Sequence, residues 1–256
     1  ARAWGVGFAP TDPPALARHL VGKGYDREAL EQSKMFRSFR GPPESWSCVF
    51  QGRLVIPIRD LQGAVVGFTA RKTERTPSDW SSAEAKYVNS SETPLFRKGQ
   101  LLFGLDKARR EKERDARFLI VEGQLDAVRC WESGFPEAVA GQGTAITRDQ
   151  VYLLKRSHAG VDFLLDGDRA GRDAALKAMP HLLAIDLPAR FAVLPDGVDP
   201  DDLLRAEGGR EALAKIRAEA RPLHEFALAA IFGDPRRLDV GQRRARVENL
   251  FELVRN

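Results

Sequence analysis

Seven carboxylates fall where three apolar runs of this sequence end. Phe118-Leu-Ile-Val runs into Glu122, Val161-Asp-Phe-Leu-Leu into Asp166 and Asp168, and Arg190-Phe-Ala-Val-Leu into Asp196, Asp199, Asp201 and Asp202. Asp126 follows Glu122 by one helical turn, so a helix starting there points it back to the same rim. Asp166 and Asp168 are two positions apart and face one side of an extended chain. Carboxylates gathered on one rim repel each other, and a hard, oxygen-seeking divalent cation relieves the repulsion. Mg²⁺ and Mn²⁺ are the natural candidates. The set contains no His or Cys, which argues against zinc. The usual chemistry of such a rim is two-metal phosphoryl transfer. Taken singly, each acid is better explained as a helix cap or loop residue. Three strand ends in one register are what argue for a site.

Other chemistries find less support. GxxxxGK[ST], GxSxG and HExxH are all missing from the chain. His19, His158, His181 and His224 are scattered, and Cys48 and Cys130 lie too far apart in sequence for a CxxC metal cluster or a disulfide scaffold. That cysteine usage fits reducing cytoplasm. The longest apolar run near the C-terminus, Phe226 to Phe232, is too short to span a bilayer. No leader pattern is visible, and the chain begins at Ala1, as a fragment of something longer would.

The acids must be positioned by the elements between them. After Arg117, apolar runs alternate four times with helical patterns: Gln124 to Ser133, Thr147 to Lys155 and Ala170 to Ile185 are the helices. That alternation predicts a parallel sheet flanked by helices, with ligands beyond the carboxyl ends of its strands. The first half reads differently. Helices are expected over Pro14 to Gly22 and from the cap Asp26 to Met35. A strand is expected over 53–59, placed at a sheet edge by Pro57, with a hairpin into Ala64–Phe68. Residues 73–85 read as a polar surface loop and 109–117 as a charged helix end and linker. Residues beyond about 207 read as helical, broken at Pro222 and at Gly233–Pro235. Charge divides along the same line. Residues 1–115 hold 20 Lys+Arg and 14 Asp+Glu, or +6, and the remainder holds 20 and 22, or −2. A basic half beside an acidic one suggests one part that meets a polyanion and another that gathers carboxylates.

Val121-Glu-Gly-Gln-Leu-Asp126 followed by Asp166-Gly-Asp-Arg-Ala-Gly171 resembles the TOPRIM signature shared by primases, topoisomerases, RecR-type proteins and some nucleases. Six flanking segments are similar to the catalytic core of the bacterial DnaG-type primase family. They are Val6-Gly-Phe-Ala-Pro, Ile56-Pro-Ile-Arg-Asp, Lys86-Tyr-Val-Asn-Ser-Ser-Glu-Thr-Pro, Leu102-Phe-Gly-Leu, Gly141-Gln-Gly-Thr and Leu194-Pro-Asp-Gly-Val-Asp-Pro-Asp-Asp. The likeness runs from about residue 2 to 205.

The resemblance implies an α/β fold in three parts: a mixed α+β basic N-terminal lobe (1–115), a central TOPRIM parallel-sheet domain (116–206) and a small helical C-terminal subdomain (207–256). It implies synthesis of short RNA primers on single-stranded DNA from NTPs, with Mg²⁺ or Mn²⁺ and without zinc in this stretch. Glu122, Asp166 and Asp168 would be the central acids, with Asp126, Asp199 and Asp201 around them. Arg71, Lys86, Asn89 and Lys98 would hold template or nucleotide phosphates, Lys86 facing the acidic rim. The implied setting is a cytoplasmic monomer at a bacterial replication fork in the nucleoid, off the membrane. The zinc-binding template module and the helicase-binding domain of the family fall outside this sequence, so a replicative helicase would be reached through a domain not present here. Gln124 stands where the family often has Tyr, and 73–85 is longer than the family spacing. A metal-dependent nuclease or a RecR-like DNA-binding scaffold remains an alternative on the acids alone. A topoisomerase would need a nucleophilic Tyr, and Tyr25, Tyr87 and Tyr152 have no supporting context.

Overall fold

Two runs rich in apolar and β-branched residues, 54–59 and 65–71, build the first sheet, seen in a computed structural model that describes residues 2–37, 39–78, 84–113, 115–143, 145–157, 160–166, 169–233 and 238–255. The chain divides into two compact units, residues 1–97 and 98–256.

In the first unit, β1 (Gly7–Phe8) precedes α1 (Ala15–Gly22) and α2 (Arg27–Ser33), and β2 (Leu54–Arg59), β3 (Val65–Arg71) and β4 (Tyr87–Asn89) follow. The strands form an antiparallel sheet in the order β1-β2-β3-β4. Asp26 caps α2, its carboxylate accepting from the Ala29 N–H at 2.8 Å. Ala17, Leu30, Phe36 and Trp46 form a core under the helices, and Ala9, Cys48, Phe50 and Ala70 form one against the sheet.

The edge position expected of Pro57 is corrected: β2 lies between β1 and β3. The ladder with β1 reaches only Leu54 and Val55, so at Pro57 that flank carries no strand pairing to lose. The Pro57 ring packs instead near Gly5, where a Cβ would stand 3.2 Å from Cγ. On β3, Gly67 makes room for the fully buried Phe96 ring; a Cβ there would meet it at 2.9 Å. Gly67→Ala is therefore expected to overpack this site and destabilise the first unit by about 1–3 kcal/mol, read as a lower denaturant midpoint.

The second unit begins with α3 (Leu105–Glu111) and continues β5 (Phe118–Val121), α4 (Gln124–Glu132), β6 (Ala138–Ala140), α5 (Arg148–Lys155), β7 (Val161–Leu165), α6 (Arg169–Ile185), β8 (Ala189–Val193), α7 (Pro200–Arg205), α8 (Gly209–Ala218), β9 (Arg221–Pro222), α9 (Leu223–Phe232) and α10 (Val240–Arg255). The four expected strands are parallel neighbours in the order β6-β5-β7-β8. All residues of β5, β6 and β7 are buried, as helix-covered parallel strands require.

A fifth strand is added to the expected four. Pro222, read as a break, lies in β9, which pairs antiparallel to β8 through Arg221 and Phe191 and leaves Pro222 at an edge that tolerates it. Phe191 stacks on Phe163 at 4.9 Å and on Phe226 of α9 at 4.5 Å. Residues 98–111, placed by sequence with the basic lobe, belong to the second unit. Gln150 Nε2 donates to the carbonyls of Lys98 (3.0 Å) and Leu101 (2.8 Å), and Phe103 bridges to Ala140. Asp168, Thr144, His158, residues 79–83 of the polar loop and the 234–235 part of the expected turn lie outside the described residues.

One charged cluster lies inside this unit. Asp162, the second residue of β7, is fully buried. It accepts from Arg117 Nε at 2.7 Å, from Arg190 Nε and Nη2 each at 2.8 Å, and from Arg217 Nε at 2.9 Å. Arg217 also pairs with Glu137 and donates to the Arg117 carbonyl at 2.8 Å, which ties α8 to the sheet. Burial alone would raise the Asp162 pKa. The hydrogen bonds from the three arginines outweigh it and hold the carboxyl below its usual range.

Candidate active site

β5 is flanked by β6 on one side and β7 on the other, so the chain reverses direction across the sheet at β5. In open parallel sheets the crevice at such a point, beyond the carboxyl ends, is where ligands bind. Glu122 follows the last residue of β5 and Asp166 the last residue of the adjacent β7. The two meet around Gly171, in the first turn of α6. A Cβ on Gly171 would stand 2.8 Å from the Asp166 carbonyl oxygen and 2.9 Å from Glu122 Oε1. The absent side chain is what lets α6 begin this close to both residues. A cavity of about 370 Å³ opens beside them, lined by Glu122, Gly141, Gly143, Leu165 and Ala174 among others.

Asp126 comes to the same rim from the first turn of α4. Its Oδ2 accepts from the Gly123 N–H at 3.1 Å, which caps the helix. The Asp126 carboxyl is pushed up to about 6. Burial is the main cause, followed by the negative charge of Asp199, with Asp201 and Glu122 adding to it; the Gly123 N–H pulls the other way. Asp126 therefore feels the charge of three other sequence-selected acids.

They are not equivalent. Asp199 caps α7, accepting from the Asp202 N–H at 2.7 Å. Asp201 is held between Arg129 Nε at 2.6 Å and Arg205 Nη2 at 2.7 Å. Burial raises the Asp201 carboxyl, but hydrogen bonds from Arg205 and Arg129 overcome this and bring it below its usual range. The Asp201–Arg205 spacing of four was readable in the sequence. Arg129, 72 residues away from Asp201, was not.

Among the described residues no group of three His, Cys, Asp or Glu side chains is gathered closely enough to hold a metal ion. Asp168, a member of the expected set, lies outside them. The donors present are carboxylate oxygens under mutual repulsion, which suits a hard divalent cation and not a thiolate- or imidazole-seeking one. A cation there would reverse the upward push on Asp126.

Three of the four expected phosphate-binding residues, Arg71, Lys86 and Asn89, belong to the first unit. Arg71 ends β3 opposite Tyr87, and Asn89 lies opposite Thr69, so Arg71 and Asn89 share one face of the β3–β4 pair. Lys86 is exposed immediately before β4, its Nζ 5.8 Å from the centre of the Tyr87 ring. Lys98 belongs to the second unit, in a 3-10 turn over Lys98–Gln100 whose carbonyl Gln150 anchors.

Comparison with known proteins gives a consistent picture. The family described as "DNA primase catalytic core, N-terminal domain" matches residues 1–109, and the "Toprim-like" family matches residues 119–204. A DNA primase of Streptomyces coelicolor is 38% identical over 90% of this chain, which covers 35% of that protein. The chain thus spans little more than a third of the length of the curated relatives it matches. A DNA primase domain from Pseudomonas aeruginosa superposes with a TM-score of 0.84 at 32% identity, covering 100% of this chain and 78% of that one. A DnaG primase catalytic domain solved bound to single-stranded DNA gives a TM-score of 0.80 at 33% identity, covering 98% of this chain and 79% of that one.

Proposed function

This chain belongs to the DnaG primase catalytic-core family, and from that premise we propose that it is a DNA-dependent RNA polymerase that builds short RNA primers on single-stranded DNA. The observation that carries this reading is the meeting of Glu122 and the Asp166 backbone at the ends of adjacent parallel strands, with Asp126 close enough to feel the charges of Glu122, Asp199 and Asp201.

Glu122, Asp166 and Asp168 are the proposed central ligands of Mg²⁺ or Mn²⁺, with Asp126, Asp199 and Asp201 supplying further negative charge. Divalent-metal dependence goes with the Toprim family. When bound, such cations lower the pKa of an attacking hydroxyl and neutralise charge on a leaving oxygen. The reaction is attack of a ribonucleotide 3′-hydroxyl on the α-phosphorus of an NTP: a new P–O bond forms as pyrophosphate leaves. The protein's share is positioning and electrostatics. Gly171 keeps Glu122 Oε1 and the Asp166 backbone at close quarters. Arg129 and Arg205 fix the direction of the Asp201 carboxylate. Arg71, Lys86, Asn89 and Lys98 bind template or nucleotide phosphates.

On this reading the protein works as a monomer in the bacterial cytoplasm, at the replication fork, and meets the replicative helicase through a separate domain. Among the described residues no helix is long and apolar enough to cross a membrane.

Incubation with a single-stranded template, labelled NTPs and Mg²⁺ or Mn²⁺ tests the assignment. Labelled oligoribonucleotides are expected. Shortening of the template would replace this reading with a nuclease, and bare retention on DNA with a binding scaffold. Lys86→Ala removes a contact to a charged phosphate, worth about 1.5–3 kcal/mol, so primer synthesis at low NTP should fall roughly 10- to 150-fold. Its melting temperature should barely move, because exposed substitutions usually stay within about ±0.5 kcal/mol. Equal, small effects of Lys86→Ala and Lys72→Ala on the initiation rate would make Lys86 part of a diffuse basic surface.

A further inference from the structure

The geometry points to Arg53 as a positioning residue that, together with Gly52, grips both stems of the 73–85 loop and so sets where Lys86 stands. The inference rests on the phosphate-binding role proposed above for Lys86.

Arg53 has 0% of its surface exposed, although it carries the most persistently charged side chain in proteins. Burying such a group costs heavily unless its donors are used. Its Nη1 donates to the Ala85 carbonyl at 2.8 Å, on the residue directly before Lys86. The Lys86 carbonyl in turn accepts from the Lys72 N–H at 2.8 Å, so the backbone on both sides of the Lys86 Cα is held.

The other stem is fixed from the same corner. The Gly52 carbonyl accepts from Thr73 Oγ1 at 2.6 Å and from Thr76 Oγ1 at 3.0 Å, and Thr76 is itself buried. Gly52 has φ +68°, and a Cβ on it would stand 2.2 Å from the Arg75 carbonyl oxygen. Only glycine lets the corner come this close. Two adjacent residues just before β2 therefore hold the loop where it leaves β3 and where it enters β4. An extended loop inserted between Arg71 and Lys86 would otherwise leave Lys86 poorly placed. The planar guanidinium fixes the direction of the bond to Ala85; a lysine at position 53 would offer a point charge without that direction.

A double-mutant cycle on primer synthesis tests this, with kcat and KM for NTP measured for wild type, Arg53→Lys, Lys86→Ala and the double variant. If Arg53 acts through Lys86, Arg53→Lys raises KM by about 5- to 10-fold with little change in kcat, and by less than about 2-fold once Lys86 is Ala. Thr76→Val, close in size and removing two bonds at the opposite stem, the one donated to the Gly52 carbonyl and the one accepted from the Thr73 N–H, serves if Arg53→Lys does not fold. Its smaller KM effect should likewise disappear in the Lys86→Ala background. Equal fold-changes in both backgrounds would make the corner purely structural and overturn the inference. A harmless Lys86→Ala would instead overturn the phosphate-binding role of Lys86 itself, and the positioning role with it.

Discussion

Asp166→Asn and Glu122→Gln are each expected to reduce primer synthesis by at least ~10²-fold, the scale on which removal of one transition-state stabiliser acts. Both changes keep size and remove charge. Retention on single-stranded DNA and the melting temperature should stay near those of the wild type, because the basic residues proposed to bind phosphate are untouched. Asp168→Asn, two residues on, should behave like Asp166→Asn. The Glu122 carboxylate and the Asp166 backbone meet at Gly171 from the ends of neighbouring strands, so the two residues occupy distinct places on the proposed rim. Near-wild-type synthesis by either the Asp166 or the Glu122 variant would remove the rim from the reaction.

Asp162→Ala is expected to have the largest effect on stability. It would leave Arg117, Arg190 and Arg217 converging on an empty, buried position. Breaking a buried ion pair by removing one partner costs about 3–5 kcal/mol. The second unit should therefore unfold at a markedly lower denaturant concentration. The pH dependence has a definite sign. The folded-state pKa of Asp162 is lowered, so its contribution is fully present above the unfolded carboxylate value of about 3.9 and is lost as pH falls through the lower folded value. Wild type should lose stability on acidification in that window, and Asp162→Ala should lose less. Equal stability of the two at neutral pH would show that the arginines find other partners.

Much of the second unit was legible because its strands are short, continuous apolar runs. Phe118–Val121 and Val161–Leu165 are buried on both faces, and the proposed site begins at the first acid after each. Caps were legible for the same local reason: Asp26 and Thr147 lie beside the N–H groups they accept from, on Ala29 and Gln150. Pairings over long sequence separations were not. Asp162 interrupts an apolar run, and nothing local shows that its partners lie 28, 45 and 55 residues away. The place of Pro57 depended on how short β1 is, and β9 has too few residues for any pattern to reveal it. The carboxylate rim was readable as a set of strand ends. The Arg129 salt bridge to Asp201, and the close approach at Gly171 that joins Glu122 to Asp166, depend on the folded chain.

Template-directed nucleotidyl transfer is tested most directly by the sequence of the labelled product. The chain is incubated with a single-stranded DNA of defined, mixed sequence, labelled NTPs and Mg²⁺ or Mn²⁺, and the products are isolated and sequenced. Short, alkali-labile chains complementary to the template are expected from wild type and should be missing with Asp166→Asn. Label in chains unrelated to the template, or equal product from the Asp166→Asn variant, would contradict this assignment.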